Sequence, residues 1–186
     1  MNLSKKKIRK KMIHLRKSKY VLDEMTPWKA ATNFFLKYRK NYKNIAAYWP
    51  MTYELDTRPL IKILLENDIN ILLPVITKGD LNFVKWDIGN KLKYNKLKFY
   101  EPYNCSYFSD PELIIVPLLA FDNFGFRLGY GGGYYDRTFS FLKNNKRKFI
   151  SVGYAFDGQK VTEVPKDKFD IKLDYVITEK KIYSFI

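Results

Sequence analysis

Apolar residues recur at helical spacing in four stretches of the chain, which predicts four amphipathic helices. The first is capped by Ser4 and runs to about Ser18, with an apolar stripe of Ile8, Met12 and Leu15. The second, "TPWKAATNFFLKY", has Thr26 at its cap and Pro27 at its first position. The side chains expected to face the core from this helix are those of Trp28, Ala31, Phe35 and Tyr38. Two further helices are predicted over residues 57–67 and about 132–143.

Between these helices, apolar residues follow one another without helical spacing, as in strands that are buried on both faces. The most apolar of these stretches is "ELIIVPLLAF", residues 112–121. Strands are also predicted for "NIAAYWP" (44–50), "INILLPV" (69–75), "LNFVKW" (81–86), "KLKFYEP" (96–102), "KFISVGYAF" (148–156) and "LDYVIT" (173–178).

The order of these elements indicates the fold class. Strands that alternate with helices, and that are apolar throughout, are typical of α/β proteins. The sequence therefore predicts an α/β fold with a largely parallel or mixed central sheet flanked by helices. The length of 186 residues fits one domain, which we expect to span residues 1–186.

Composition narrows the class of protein further. Of the residues, 46% are hydrophobic and 28% are charged, which is typical of a globular chain. The longest apolar runs, such as Leu113 to Ala120, are too short to span a bilayer, and no apolar segment of a secretory signal follows the basic N-terminus. The single cysteine, Cys105, excludes an intrachain disulfide and is expected to be a buried, unreactive thiol. We therefore expect a cytoplasmic protein without a membrane partner.

The formal net charge of +15 has two interpretations. Clustered lysines and arginines bind nucleic acids by neutralising phosphates, so a basic nucleic-acid-binding module without enzymatic activity is one alternative. A general bias toward lysine is the other, because the lysines are spread along the chain and no zinc-finger spacing or RNA-binding aromatic signature accompanies them. In either case a positive field favours anionic ligands.

The segment "RLGYGGGYYDR", Arg127 to Arg137, is the strongest candidate for a functional site. Glycine-rich loops that open a helix present backbone N–H groups to phosphate, and the helix dipole favours the anion. The pattern is neither a Walker motif nor a dinucleotide fingerprint. Two interpretations stay open on these residues alone: a phosphate-binding loop, or a tight turn between a strand and a helix.

The longer segment "VPLLAFDNFGFRLGYGGGYYDR" resembles the 5-formyltetrahydrofolate cyclo-ligase family, also called methenyltetrahydrofolate synthetase. Further features of that family follow in order along nearly the whole chain. They are "KKKIR" near the start, "ELDT" after the first strand, "GYAFDGQKVTEVPKDKFD", and "DYVITE".

The resemblance implies a reaction in which ATP and Mg²⁺ convert 5-formyltetrahydrofolate to 5,10-methenyltetrahydrofolate. ATP phosphorylates the formyl oxygen, N10 of the folate attacks the resulting iminium phosphate, and phosphate leaves. Phosphoryl transfer depends on positioning and charge neutralisation more than on a protein nucleophile. The chain shows no serine or cysteine triad, and its single histidine, His14, is expected to be exposed on the first helix. No catalytic residue is assigned.

The resemblance also implies roles for individual residues. ATP is expected to contact Lys5, Lys6, Lys7, Ile8, Arg9, Arg127, Leu128, Gly129, Tyr130, Gly131, Gly132, Gly133, Tyr134 and Tyr135. The folate is expected to contact Trp49, Glu54, Tyr130, Gly131, Gly132, Gly133 and Tyr134. Mg²⁺ is expected at Asp136 and Asp170, since it prefers carboxylate oxygens and water.

Several of these residues have simpler alternatives. Lys5 to Arg9 could be a solvated helix face, Tyr134 a core side chain, Glu54 a helix cap and Asp136 a carboxylate at a helix start. Some relatives have basic residues where this chain has Tyr130 and Gly132, so phosphate contacts here are expected to depend more on backbone amides, Arg127 and Arg137. We expect a monomer with no specific nucleic-acid partner.

Overall fold

The computed structural model describes residues 3–20, 24–38, 42–103 and 108–186; Cys105 lies outside these ranges. Four α-helices occur within them: α1 (Leu3–Tyr20), α2 (Thr26–Tyr38), α3 (Arg58–Leu65) and α4 (Tyr134–Asn144), together with a short 3₁₀ helix at Asp157–Gln159. All four coincide with predicted helices to within about two residues, although α1 and α2 already include the expected caps Ser4 and Thr26. In the same ranges, no helix combines the length and the apolarity needed to cross a membrane.

The strands form one large sheet and two small ones. Their bounds are β1 (Asn44–Ala46), β2 (Asn70–Thr77), β3 (Asp80–Trp86), β4 (Leu92–Tyr94), β5 (Tyr100–Pro102), β6 (Leu113–Pro117), β7 (Ala120–Phe121), β8 (Arg127–Leu128), β9 (Ile150–Tyr154), β10 (Tyr175–Ile177) and β11 (Ile182–Ser184). The large sheet has the order β11-β10-β9-β6-β1-β2-β3, while β4 pairs with β5 and β7 with β8. Five neighbouring strands from β10 to β2 are parallel, and the two edge strands are antiparallel. The predicted mixed α/β sheet is therefore confirmed.

Both faces of the sheet are buried, which explains its continuously apolar strands. Along β2, Ile71 and Leu73 pack with α2 and α3, while Leu72 between them packs with α4 on the opposite face. Successive side chains of a strand point to opposite faces, so a sheet covered on both sides needs an apolar residue at every position.

Some predictions about local structure were wrong. The strand predicted over 44–50 ends at Ala46, and the one predicted over 112–121 is divided into β6 and β7. The predicted strand 96–102 exists only at Tyr100–Pro102, because the side chain of Asn95 accepts a hydrogen bond from the Leu97 N–H (2.9 Å) and Lys98 has φ +66°, which together form a turn. In α2, Trp28 is 40% exposed, and the buried stripe contains Ala30, Ala31, Phe34 and Tyr38. Trp28 lies at the border of that stripe rather than in it.

The strand order contains a switch point that locates the candidate site. From β1 the chain proceeds to β2 on one side, whereas β6 on the other side of β1 leads to β9 and β10. In open α/β sheets, ligands bind beyond the carboxyl ends of the strands at such a point. Helix α1 lies near this edge, where Met12 packs with a cluster that includes Leu119, Ala120, Leu128 and Val164.

Candidate active site

Two segments that are distant in sequence meet at the switch point. The loop after β1 carries Trp49 and Glu54, and the chain after β6 passes through the β7–β8 pair to the glycine loop, Gly129–Gly133. Arg16 of α1 contacts both segments. Its Nη1 lies 3.7 Å from Oε1 of Glu54, and its Nη2 donates a hydrogen bond to the hydroxyl of Tyr130.

The glycine loop combines a tight turn with unpaired amides. Gly131 has φ +108° and Gly133, at the N-cap of α4, has φ +66°, values that residues with a Cβ rarely adopt. Within the described part of the chain, the N–H groups of Gly131, Gly132 and Gly133 donate no hydrogen bond. Unpaired amides directly before a helix N-terminus can hold an anion, in addition to forming the turn.

Arginine side chains hold the carbonyl groups of this loop. Nε of Arg9 donates to the carbonyl of Gly129 (2.9 Å), and Nη1 of Arg137 donates to the carbonyl of Gly132 (2.8 Å). The contact with Arg9 is so close that a Cβ added at Gly131 would lie 3.2 Å from its Nη2. With its carbonyls fixed by cations, the loop is an electropositive surface.

The structure divides the basic segment that was expected to contact ATP. Lys5 is buried and forms ion pairs with Asp167 (2.7 Å) and Asp170 (2.8 Å). Although burial lowers the pKa of Lys5, the two carboxylates outweigh it and raise the pKa above its ordinary value. Arg9 lies against the glycine loop, Ile8 packs with the apolar cluster under α1, and Lys6 and Lys7 are exposed.

The two expected metal ligands are brought together through one peptide. Oδ1 of Asp136 accepts a hydrogen bond from the N–H of Ile171 (3.1 Å), the residue that follows Asp170. The same Oδ1 accepts from Nη2 of Arg127 (2.9 Å), whose Nη1 donates to the carbonyl of Ile171 (2.7 Å). Burial lowers the pKa of Arg127, and Asp136 opposes that effect. The fold thus joins residues whose spacing in the sequence gives no reason to expect contact.

In the ranges that the structure describes, each of these two carboxylates accepts protein hydrogen bonds on one oxygen only. The hydrogen bonds to Asp136 all go to Oδ1, and those to Asp170 from Lys5 and the Asp167 N–H all go to Oδ2. One oxygen of each carboxylate therefore has no partner among the described residues. In that part of the chain, no group of three or more His, Cys, Asp or Glu side chains is arranged around a common point. Mg²⁺ keeps several of its waters and binds through one or two carboxylates and substrate phosphates, so the chemistry of two open carboxylate oxygens is compatible with it.

Glu54 is buried beside the glycine loop and does not cap α3. It is 2% exposed, and its Oε2 accepts a hydrogen bond from the N–H of Met51 (2.9 Å). The N-cap of α3 is Thr57, whose hydroxyl donates to the carbonyl of Tyr48. Burial raises the pKa of Glu54, and the charge of Arg16 opposes that rise.

A cleft of about 270 Å³ lies against the segment that precedes Glu54, although Glu54 itself does not line it. It is lined by Tyr20, Trp49, Pro50, Met51, Thr52, Tyr53, Arg58 and Tyr100. Trp49 meets the Trp86 ring edge to face at 5.5 Å, and Tyr20 meets Tyr53 in the same way at 5.8 Å. Tyr53 has φ +65°, an unfavourable conformation for an aromatic residue and one that often occurs at binding sites.

The other predicted residues of the loop region are partly structural. Leu128 is buried in the apolar cluster under α1. Tyr134 and Tyr135 are half-buried and pack against the core on the α4 side of the sheet, and the guanidinium of Arg137 lies 4.8 Å from the centre of the Tyr134 ring. Tyr134 therefore combines core packing with a position beside the glycine loop.

Arg16 is the main residue at this site that the sequence analysis missed. It is 2% exposed, although arginine is rarely buried without a partner. A signal was present in the sequence, because position 16 follows Met12 by four residues and so lies on the apolar stripe of α1. A charged residue on the buried stripe of an amphipathic helix indicates a buried polar contact.

The chain is similar to known proteins of one family along most of its length. A model of the 5-formyltetrahydrofolate cyclo-ligase family matches residues 2–179. The 5-formyltetrahydrofolate cyclo-ligase of Escherichia coli (strain K12) is 36% identical over 148 residues, which is 76% of this chain and 80% of that protein. That of Haemophilus influenzae is 35% identical over 142 residues, which is 73% of this chain and 75% of that protein.

The fold also matches a solved structure. The NMR structure of 5,10-methenyltetrahydrofolate synthetase from Aquifex aeolicus superposes with a TM-score of 0.81 and 29% sequence identity, covering 97% of this chain and 92% of that chain. Because the family model spans nearly the whole chain, including the glycine loop and both expected metal ligands, the chain belongs to the 5-formyltetrahydrofolate cyclo-ligase family, a family of enzymes.

Proposed function

We propose that this protein converts 5-formyltetrahydrofolate to 5,10-methenyltetrahydrofolate with the hydrolysis of ATP to ADP and phosphate, and that Mg²⁺ assists the reaction. The observation that carries the proposal is the glycine loop at the switch point. Arginine side chains hold two of its carbonyl groups, its amides are unpaired, and the guanidinium of Arg16 links its residue Tyr130 to a buried carboxylate, Glu54. Membership of an enzyme family also disfavours the alternative of a nucleic-acid-binding module without activity.

The loop would hold the phosphates of ATP. The N–H groups of Gly131 to Gly133 supply hydrogen-bond donors, and the dipole of α4 adds a positive field at the same place. Arg9 has a further nitrogen, Nη1, that is buried without a hydrogen-bond partner, and a phosphate oxygen would satisfy it. These groups position the γ-phosphoryl group and neutralise its charge, which is the main requirement for its transfer.

Asp136 and Asp170 would hold Mg²⁺ through the two carboxylate oxygens that accept no protein hydrogen bond. When bound, the ion neutralises negative charge on the phosphates. Lys5 and Arg127 already neutralise the other oxygens of these carboxylates and fix their orientation.

The folate would occupy the cleft beside Trp49, and the carboxylate of Glu54 would accept hydrogen bonds from its pterin ring. Trp49 offers an aromatic surface for the flat ring system, and a carboxylate accepts hydrogen bonds from the pterin's amino and ring N–H groups. Oε1 of Glu54 is buried and has no hydrogen-bond partner in the described structure, so a ligand N–H would satisfy it.

This arrangement suits a reaction in two steps. The formyl oxygen attacks the γ-phosphorus and ADP leaves, which converts a poor leaving group into a good one. N10 then attacks the formyl carbon and loses its proton, and phosphate departs with the former formyl oxygen. The contribution of the protein is to align the formyl oxygen with the γ-phosphate and to exclude competing water.

The direct test is incubation of the pure protein with 5-formyltetrahydrofolate, ATP and Mg²⁺, followed by detection of the methenyl chromophore. We expect one ADP for each methenyl product. The conversion is expected to persist at salt concentrations that dissociate RNA or DNA. The log of the affinity for a nucleic acid falls with the log of the salt concentration by about 0.7 to 0.9 for each phosphate contacted, so binding through several phosphates is lost steeply. A folded protein that binds nucleic acid tightly and forms no methenyl product would contradict the proposal.

Glu54→Gln tests the proposed role of Glu54 in folate binding separately from ATP binding. We expect the KM for 5-formyltetrahydrofolate to rise about ten- to a hundredfold, because an amide replaces an ionised acceptor, while the KM for ATP changes little. Glu66→Gln, at an exposed glutamate that pairs with Lys62, is the matched control and should behave as wild type. Equal KM values for folate in the Glu54 variant and the control would remove Glu54 from the folate site.

A further inference from the structure

Arg16 is a buried charged residue that the proposed reaction leaves without a role. Its guanidinium lies between the two halves of the site, with Glu54 on one side and Tyr130 of the glycine loop on the other. The guanidinium carbon lies 5.4 Å from the centre of the Tyr130 ring. Within the described structure, four buried side-chain polar atoms lack a hydrogen-bond partner, and three of them are at this site: Arg9 Nη1, Arg16 Nε and Glu54 Oε1.

The geometry between Arg16 and Glu54 is not that of a closed structural ion pair. Their nearest atoms are 3.7 Å apart, beyond hydrogen-bond distance, although both side chains are almost fully buried. A buried ion pair stabilises a fold only when its hydrogen bonds are complete, and this pair leaves donors and acceptors unused. Such an arrangement is suited to a third, polar partner that completes it, as a bound ligand would.

We propose that Arg16 is a positioning residue for folate binding. Its guanidinium keeps the buried carboxylate of Glu54 charged and oriented for the pterin. The same guanidinium donates a hydrogen bond to Tyr130 and so holds the glycine loop beside Glu54. This inference rests on the proposed function, in which Glu54 reads the pterin. Through Tyr130, Arg16 also connects the folate side of the site to the loop that would hold ATP.

The electrostatics of the site explain why Glu54 needs this cation. Among the described residues, the charge of Glu54 acts on three tyrosines, Tyr48 after β1, Tyr130 of the loop and Tyr135 of α4. Burial, and secondarily the charge of Glu54, raises the pKa of each of these tyrosines, so they remain neutral and do not balance the carboxylate. Arg16 and the Met51 N–H are the groups that lower the pKa of Glu54 against its burial.

Removal of Arg16 therefore has a consequence that depends on pH. Glu54 would keep its burial but lose its counter-charge, so its pKa would rise further. The ionised carboxylate is the form that accepts hydrogen bonds from the pterin, so folate affinity is present above that pKa and is lost as the pH falls through it. Without Arg16, this loss begins at a higher pH. An opposite charge at this distance changes a carboxyl pKa by about one to three units.

The test is the affinity for 5-formyltetrahydrofolate, measured by calorimetry without ATP between about pH 5.5 and 8.5. For Arg16→Met we expect the midpoint of the loss of affinity to lie about one to three pH units above that of wild type. Arg16→Lys keeps the charge and should restore a midpoint near that of wild type, even though its affinity is lower. Lys11→Met removes the same charge from an exposed position of α1 and should leave the affinity and the midpoint unchanged.

The possible results separate this inference from the proposed function. A folded Arg16→Met protein with the wild-type midpoint overturns the role of Arg16, whether or not its affinity is lower. If Arg16→Met does not fold, Arg16→Gln in the same titration decides the question by the same criterion. A wild-type protein that neither binds 5-formyltetrahydrofolate nor forms the methenyl product overturns the proposed function itself. In a Glu54→Gln background, replacement of Arg16 by Met should shift no midpoint, because the titrating group is absent.

Discussion

Asp136→Asn is expected to lower magnesium-dependent turnover by about two orders of magnitude or more, with a much smaller effect on folate binding. The substitution keeps the shape of the side chain and removes its charge. One of the two carboxylates proposed to hold the ion is then a neutral amide, which is a weaker ligand for Mg²⁺. The measurement is a magnesium titration of the initial rate of methenyl formation, with ATP and folate held in excess.

Asp136→Asn is also expected to lower the stability of the protein, and this effect must be separated from the effect on turnover. Asp136 also pairs with Arg127, whose side chain is 6% exposed, so the variant leaves a buried guanidinium without its counter-charge. We expect a loss of about 1 to 3 kcal/mol of the free energy of unfolding, measured by urea denaturation. Turnover must therefore be compared at a temperature at which both proteins are fully folded.

Asp110→Asn is the matched control for this variant. Asp110 is an exposed carboxylate that pairs with Arg147 (3.1 Å), outside the residues placed at the site. Its loss should change neither the magnesium titration nor the stability appreciably, since exposed ion pairs contribute little. Superimposable magnesium titrations for Asp136→Asn, Asp110→Asn and the wild type would exclude Asp136 as a metal ligand.

The fold could be predicted from hydrophobic periodicity because both faces of the sheet are covered. Strands such as "LIIVP" (β6) must be apolar at every position, and helices such as α3 must have one apolar stripe, so each element is recognisable locally. The short strands β4, β8 and β11 were not predicted. They contain two or three residues each and depend on pairing with β5, β7 and β10, which local sequence does not encode.

The site was less predictable than the fold, because it depends on contacts between distant segments. The glycine loop was recognisable, since its composition and its place before a helix are local properties. The proximity of Asp136 and the segment of Asp170 depends on one hydrogen bond to the Ile171 N–H and on Arg127, which only the folded chain shows. The position of Glu54 beside Arg16 likewise follows from the docking of α1 against the carboxyl edge of the sheet.

The monomeric state, the organisation of residues 1–186 as one domain, and the individual contacts of the folate and ATP stay predictions. Of these, the contacts of the glycine loop are the most directly testable, since a single side chain introduced there changes the local geometry without removing a charge.

Gly132→Val is expected to abolish ATP binding, with a loss of affinity of at least about a hundredfold, while the protein stays folded. A Cβ at this position would lie 2.7 Å from Cε2 of Tyr134, far inside contact distance. Tyr134 is half-buried against the core and also lies under Arg137, which holds the carbonyl of Gly132. The new side chain must therefore displace the ring or the loop, and it occupies space into which a phosphate would come. Equilibrium binding of ATP with and without Mg²⁺, and circular dichroism for folding, measure the two parts of the prediction.

Gly89→Val provides a demanding control for the loss of a glycine. Gly89 has φ +94°, so the substitution is strained at the backbone, but a Cβ there would meet no atom within 4 Å. Gly132 does not have a positive φ, and its constraint is the neighbouring ring and the proposed ligand. If backbone strain alone weakened ATP binding, Gly89→Val would weaken it at least as much as Gly132→Val. We expect instead that Gly89→Val binds ATP as wild type does, at some cost in stability. A folded Gly132→Val protein with unchanged ATP affinity would show that the glycine loop does not hold the phosphates.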